Sequence, residues 1–170
     1  HRPAVFIFNH QSGLDPILMS RLLRRDYVGV AKQELKDTPI ICALAQLAGT
    51  VFVERGDRNK EIDSLKSAEE AVRQGLSIMI APEGTRSATK RLGPFKKGAF
   101  RMAMKTGVPI VPIVLKNALD ALPRHALVIR PATVEVVVHP PISTEDWKLE
   151  DLNDHIADIH ALYERTLADD

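Results

Sequence analysis

Cysteine is almost absent from this 170-residue chain. The one present, Cys42, sits in the apolar stretch Ile40 to Leu47. No intrachain disulfide can form, so a reducing compartment is the default. Its apolar setting reads as inert packing rather than as a nucleophile. Aromatic residues are scarce, at 5%. That argues against a nucleic-acid groove, which needs stacking rings interleaved with basic side chains. No run reaches the ~20 apolar residues that span a bilayer. The longest candidate, Ile40 to Val53, is interrupted by Gln46, Gly49 and Thr50. A signal peptide, an internal repeat and a low-complexity linker are all missing from the pattern.

What is present is an ordinary globular composition, 45% hydrophobic and 26% charged. The length suits one domain over residues 1–170 with a substantial core. The chain starts at His1 and enters a strand within a few residues, the pattern expected of a domain excised from a longer protein. The net charge of +1 hides an asymmetry. Residues 1–144 hold 21 Lys and Arg against 13 Asp and Glu, whereas residues 145–170 hold 2 against 9. A basic body with an acidic tail fits an anionic partner such as a phosphate, a coenzyme or a membrane surface. It equally fits two solvated faces.

Apolar β-rich runs alternate with helical patterns. Strands are expected at Ala4–Phe8, Tyr27–Ala31, Thr50–Val53, Ser77–Ala81, Ile110–Leu115 and Thr133–Val138. Several are continuous apolar runs, as strands covered on both faces should be. Helices are expected at Pro16–Leu23, Asn59–Gln74, Gly98–Lys105 and Leu149–Leu167. Asp15 suits the N-cap of the first, with Pro16 at its first helical position. The alternation predicts an α/β fold: a central mixed, mostly parallel sheet flanked by helices in a single layered domain.

Two polar islands follow strands in this pattern. The first, NHQSGLD, runs from Asn9 to Asp15. His10 has the side chain best suited to accept a proton near neutral pH, and a carboxylate that fixes its tautomer improves it. A turn at Gly13 would bring Asp15 back to one ring nitrogen. The plainer readings are a loop histidine and a helix cap. Ser12 lacks the GxSxG setting of a nucleophile, and the His-x4-Asp spacing is not a zinc-binding pattern.

The second island, APEGTRSATKRLGPFKKGAF, runs from Ala81 to Phe100. Glu83, Gly84, Thr85 and Arg86 join a carboxylate, a flexible backbone, a hydroxyl and a guanidinium. The planar fork of Arg86 matches phosphate oxygens. Lys90, Arg91, Lys96 and Lys97 add positive field, and the helix starting at Gly98 adds its N-terminal amides. The alternative is a polar surface loop. Arg55, after strand Thr50–Val53, is a further charge at a strand exit, where a charged turn is the simpler reading.

In combination these islands resemble the glycerolipid acyltransferases, specifically the 1-acylglycerol-3-phosphate acyltransferases. The family's NHxxxxD block resembles Asn9–Asp15. Its second block resembles Gly49–Arg55. Its third resembles Pro82-Glu83-Gly84-Thr85-Arg86-Ser87 with Gly93–Gly98, and its apolar proline-bearing block resembles Val108–Ile113. Ala81 departs from the Phe found in many relatives. Beyond about Asn117 the resemblance offers no signature.

The resemblance implies transfer of an acyl group from a thioester, acyl-CoA or acyl carrier protein, to the sn-2 hydroxyl of lysophosphatidate. His10 would be the general base and Asp15 its orienter, with no acyl-enzyme. Arg86 and Arg55 would hold the acceptor's phosphate, and Lys32 is a further phosphate ligand. Glu83 would accept from a glycerol hydroxyl or brace Arg86. Gly84 and its neighbours would offer amides to the oxyanion, and Thr85 favours an acylated acceptor. No metal or cofactor is implied. Arg21, Arg24, Arg25, Lys96, Lys97 and Arg101 would rest on an anionic membrane at its cytoplasmic face, with any anchor in sequence absent from this chain. The rivals are an acyltransferase for another lysophospholipid or glycerol-3-phosphate, a non-catalytic phospholipid-binding module, and a phosphate-ester hydrolase.

Overall fold

Four consecutive apolar residues, Val5–Phe8, form the first strand, β1, and all four are buried. The computed structural model describes residues 2–32, 51–53, 58–123, 126 and 128–169. Along these the chain runs β1, α1 (Asp15–Leu23), β2 (Tyr27–Lys32), β3 (Val51–Val53), α2 (Arg58–Arg73), β4 (Ser77–Ile80), α3 (Gly98–Thr106), β5 (Ile110–Lys116), α4 (Ala118–Ala121), β6 (Glu135–Val138) and α5 (Leu152–Ala168). The strands lie in the order β3-β2-β4-β1-β5-β6. Every pair is parallel except β5–β6. This is the mixed, mostly parallel α/β sheet that the alternation predicts. Cys42 and Gly49, Thr50, Glu54 and Arg55 of the second block lie outside the described residues.

β1 is central, and its register sets Val5 beside both Ile78 of β4 and Ile110 of β5. Because side chains alternate along a strand, Val5 and Ile7 face one side and Phe6 and Phe8 the other. Two cores result. Val5, Ile7, Val28, Ile78, Ile110 and Val114 pack with Ala68 and Val72 of α2, Phe100 and Met102 of α3, and Ile156, Ile159 and Tyr163 of α5. On the opposite face, Phe6, Phe8, Met79, Val111, Ile113 and Leu115 pack with Met19 and Leu23 of α1. A strand covered on both sides has no polar face to offer, and all seven residues of β5 are accordingly buried.

Element ends follow local chemistry. Gly107 closes α3 with φ +68°, and Gly75 follows α2 with φ +87°, the left-handed conformation that glycine adopts without penalty. α5 starts at Leu152, three residues later than the apolar pattern suggests. Leu149 is not on the buried stripe and stands exposed. The expected N-cap role of Asp15 is corrected by the structure. Leu14 occupies the cap position of α1 without a side-chain bond, and Asp15 is the first helical residue. Its carboxylate turns backward, for the reason given below. Among the described residues no helix is long and apolar enough to cross a membrane.

Candidate active site

Parallel strands deliver their carboxyl ends to one edge of a sheet, where ligands of α/β folds are met. β1 ends there in Asn9 and His10, β4 in the loop from Ala81, and β5 in Lys116. The Asn9–Asp15 loop folds around one oxygen. Asp15 Oδ2 accepts the main-chain N–H of Gln11 at 2.8 Å and of Ser12 at 2.7 Å, and it lies 2.8 Å from His10 Nδ1. Asp15 is fully buried. A carboxylate only accepts, so Nδ1 carries the proton and Nε2 keeps the lone pair. The His10 ring is held edge-on to Phe8, with centroids 5.9 Å apart, and is 20% exposed. Asp15 thus does what an N-cap does, but for the loop before the helix. The spacing at Gln11 and Ser12 forms a nest for its charge.

The rest of the loop is fastened to distant segments. Asn9 is buried, and its side chain pairs with Leu115 as a backbone would. Its Nδ2 donates to the Leu115 carbonyl at 2.9 Å, and its Oδ1 accepts the Leu115 N–H at 2.7 Å. Gln11 Nε2 donates to the Lys90 carbonyl at 3.1 Å. The Ser12 hydroxyl is buried, donates to the Leu122 carbonyl at 3.1 Å and accepts from Leu14 N at 3.2 Å. Those bonds leave Ser12 in a framework position and do not poise it as a nucleophile.

The second island meets the first directly. Ser87 N–H donates to the His10 carbonyl at 2.8 Å. Arg86 reaches the Asn9–Asp15 loop: its Nη1 would stand 3.3 Å from a Cβ placed on Gly13. Glu83, expected against substrate or against Arg86, is 5% exposed and joins main chain to main chain. Its Oε1 accepts the His10 N–H at 2.7 Å and its Oε2 the Gly93 N–H at 2.9 Å. Burial raises the Glu83 pKa above its ordinary 4.5, and the bonds from His10 and Gly93 oppose that rise. Gly93 lets the carboxylate come this close, since a Cβ there would meet Oε2 at 3.0 Å.

Gly84 needs a correction. It adopts φ +75°, and its N–H donates to the Ala81 carbonyl at 3.0 Å. A tight turn uses that amide internally, so it is not the oxyanion donor the sequence suggested. Thr85 is exposed just after the turn. Lys32 closes β2 opposite Val53, but its side chain lies outside the described residues, as does Arg55. Among the described residues no cluster of three or more His, Cys, Asp or Glu side chains could hold a metal.

Sequence reading missed the contributions of the C-terminal half. The ring of Phe95, two residues beyond Gly93, packs edge-on against His160 at 4.9 Å and Tyr163 at 5.2 Å of α5. His160 Nε2 lies 3.1 Å from the Gly93 carbonyl. The only sequence signal was the apolar stripe of α5, which reads as core.

The chain is similar to known acyltransferases. The model of the Acyltransferase family matches residues 1–116. A 1-acyl-sn-glycerol-3-phosphate acyltransferase of Cocos nucifera is 40% identical over 161 residues, covering 94% of this chain and 52% of that protein. The enzyme of the same name from Saccharomyces cerevisiae is 37% identical, over 85% of this chain and 49% of its own. The crystal structure of the 1-acyl-sn-glycerophosphate acyltransferase PlsC from Thermotoga maritima superposes with a TM-score of 0.79 at 26% identity, covering 98% of this chain and 66% of that one. The chain therefore spans about half the length of the two curated relatives.

Proposed function

The chain belongs to the acyltransferase family, and on that premise we propose that it transfers a fatty acyl group to the sn-2 hydroxyl of lysophosphatidate, giving phosphatidate. The observation that carries this reading is the His10–Asp15 contact of 2.8 Å beside the Arg86 guanidinium. The donor is a thioester, acyl-CoA or acyl carrier protein. An alkanol needs its proton removed during attack, and a placed base contributes about 10²–10⁴-fold. His10 Nε2 takes that proton, and Asp15 Oδ2 stabilises the imidazolium that forms. The hydroxyl oxygen attacks the thioester carbonyl, and the thiolate leaves with the proton returned from His10. Arg86, with Arg55 and Lys32, holds the acceptor's phosphate. Glu83 fixes the main chain of His10 and acts as a positioning residue. Thr85, exposed just after the turn, contributes to acceptor binding.

The basic residues Arg21, Arg24, Arg25, Lys96, Lys97 and Arg101 are all exposed. Ile17 and Leu22 of α1 are exposed among them. Because α1 and α3 cover opposite faces of the sheet, these residues do not share one surface; we place the α1 side, Arg21, Arg24 and Arg25 with Ile17 and Leu22, on anionic headgroups at the cytoplasmic side of a membrane, each basic residue adding ~1 kcal/mol near the surface. Salt-insensitive liposome binding would refute that placement.

The decisive test is radiolabelled acyl-CoA with lysophosphatidate, followed by positional analysis of the product, in wild type and His10→Ala. Label at sn-2, lost in the variant, is expected. Full transfer by His10→Ala would remove the base assignment. Retained lipid binding without any transfer in wild type would favour a phospholipid-binding module instead.

A further inference from the structure

The loop between β4 and α3 is held at one glycine from two sides. Gly93 N–H donates to Glu83 Oε2 at 2.9 Å, and Glu83 Oε1 accepts the His10 N–H at 2.7 Å. On the other side of the same residue, the Gly93 carbonyl lies 3.1 Å from His160 Nε2 of α5. A carbonyl only accepts, so Nε2 carries the proton and donates. Four groups thus stand in series: the His160 imidazole, Gly93, the Glu83 carboxylate and the main chain of His10. Pro94 follows Gly93 and has no N–H to add. Among the described residues the next main-chain bond along the loop is Lys96 N–H to the Pro82 carbonyl, at 2.9 Å. The imidazole is itself located on two sides. The Phe95 ring meets it edge-on at 4.9 Å, and Glu164 Oε2, one turn along α5, is 3.6 Å from Nδ1.

We propose that His160 is a positioning residue for the reaction: its Nε2–H pins the Gly93 carbonyl, and so keeps Gly93 N–H on Glu83 and Glu83 on the main chain of His10. This rests on the acyl-transfer reading of the site. Glu83 is buried, and burial pushes its pKa up while the His10 and Gly93 amides oppose the rise. Each amide therefore helps keep the charge on the carboxylate, and a charged acceptor binds an N–H about twice as strongly as a neutral one. When Gly93 drifts, Oε2 loses that donor, the neutral form of the carboxyl gains ground, and the grip on the His10 N–H weakens with it. A base works only within about 2.6–3.2 Å of the proton it takes, so a small release of the His10 main chain is a loss of rate. His160 lies beyond the residues 1–116 that the family model matches. Its bond makes the C-terminal helix part of the support of the site.

The test compares His160→Gln with His160→Asn in the full-length protein, with Leu152→Ala on the same helix as a destabilised control. Glutamine carries its amide nitrogen as many bonds from the main chain as Nε2 and can reach the Gly93 carbonyl, whereas asparagine stops at the depth of Nδ1. Three quantities are read: the thermal midpoint, the kcat and KM of acyl transfer, and the amide ¹H shifts of His10 and Gly93. His160→Asn is expected to lower kcat about fivefold or more, to leave KM within about threefold, and to move both amide protons upfield as their bonds to the carboxylate weaken. His160→Gln should stay within about twofold of wild type with both amides in place. Leu152→Ala should lower the midpoint while leaving kcat within about twofold. Equal kcat in the Asn and Gln variants, or kcat losses that simply follow the midpoint across all three, would overturn the proposal. Should the Asn variant not fold, β-thienylalanine at 160 keeps a ring against Phe95 and removes the donor, and an unchanged kcat there overturns it too. The amide shifts are read without turnover. An inactive wild type whose amides still move in His160→Asn would therefore sink the acyl-transfer reading and leave the His160 brace standing.

Discussion

Replacing Asp15 with alanine should destabilise this protein far more than replacing its partner His10. Asp15 Oδ2 serves two main-chain donors, Gln11 N and Ser12 N, besides the imidazole. Asp15→Ala leaves both amides buried without an acceptor, at about 1–3 kcal/mol each. Removing the carboxylate also relieves something, because its Oδ1 is buried with no hydrogen-bond partner. A net loss of about 3 kcal/mol follows, which at about 2–4 °C per kcal/mol for a domain of this size lowers the midpoint by roughly 6–12 °C. His10→Ala removes one bond from a ring that is 20% exposed and leaves both amides on Asp15. Its cost should be about 1 kcal/mol, or roughly 2–4 °C. Both variants should lose acyl transfer by about 10²-fold or more. Differential scanning calorimetry alongside the radiolabel assay separates the two effects. Equal midpoint losses, or a larger one for His10→Ala, would refute the claim that one oxygen organises the loop as well as the dyad.

Gly13→Ala would set a Cβ 2.9 Å from Leu122 Cδ2 and 3.3 Å from Arg86 Nη1. Leucine's terminus can yield, so the midpoint should hardly move while KM for lysophosphatidate rises about threefold to tenfold, the equivalent of roughly 1 kcal/mol. Steady-state kinetics check it. Glu83→Gln tests the buried clamp by its pH dependence. The folded pKa of Glu83 is raised above 4.5 by burial, so its contribution is fully present at lower pH and is lost as pH rises through the folded value. The wild type's stability advantage over Glu83→Gln should therefore shrink on going up from about pH 4.5 and then level off. An advantage that grows with pH, in midpoints measured from acid to neutral, would contradict it. Asn9→Ala removes both Leu115 bonds from a buried site and should cost about 2–4 kcal/mol, measured by denaturant titration.

The sheet was legible because its strands are buried on both faces. VFIF and the run Ile110–Leu115 carry no polar residue, and both lie wholly inside. The edge strand was less so. β6 begins at Glu135 rather than at Thr133 and is mostly exposed, so packing does not enforce the pattern. The short α4 had no period to read. At the site, the proximity of His10 to Asp15 was local, five positions apart, and a sequence can show that. Glu83, Asn9 and Tyr163 act on backbone groups 73, 106 and 156 positions away. No spacing rule encodes such bonds. They exist only once the sheet has brought the strand ends together, and so Asn9 and Tyr163 passed as motif filler and core.

The bond from Tyr163 to Ile7 also fixes an order of events during synthesis. The strand that bears it leaves the ribosome first, and its hydroxyl partner follows 156 residues later. At about 5–20 residues per second the Ile7 carbonyl waits on the order of ten seconds for that hydroxyl. β1 can pair with β5 only after Lys116 is made, and α5 then adds its hydroxyl to a seam already formed. The core face that α5 covers is thus the last to close.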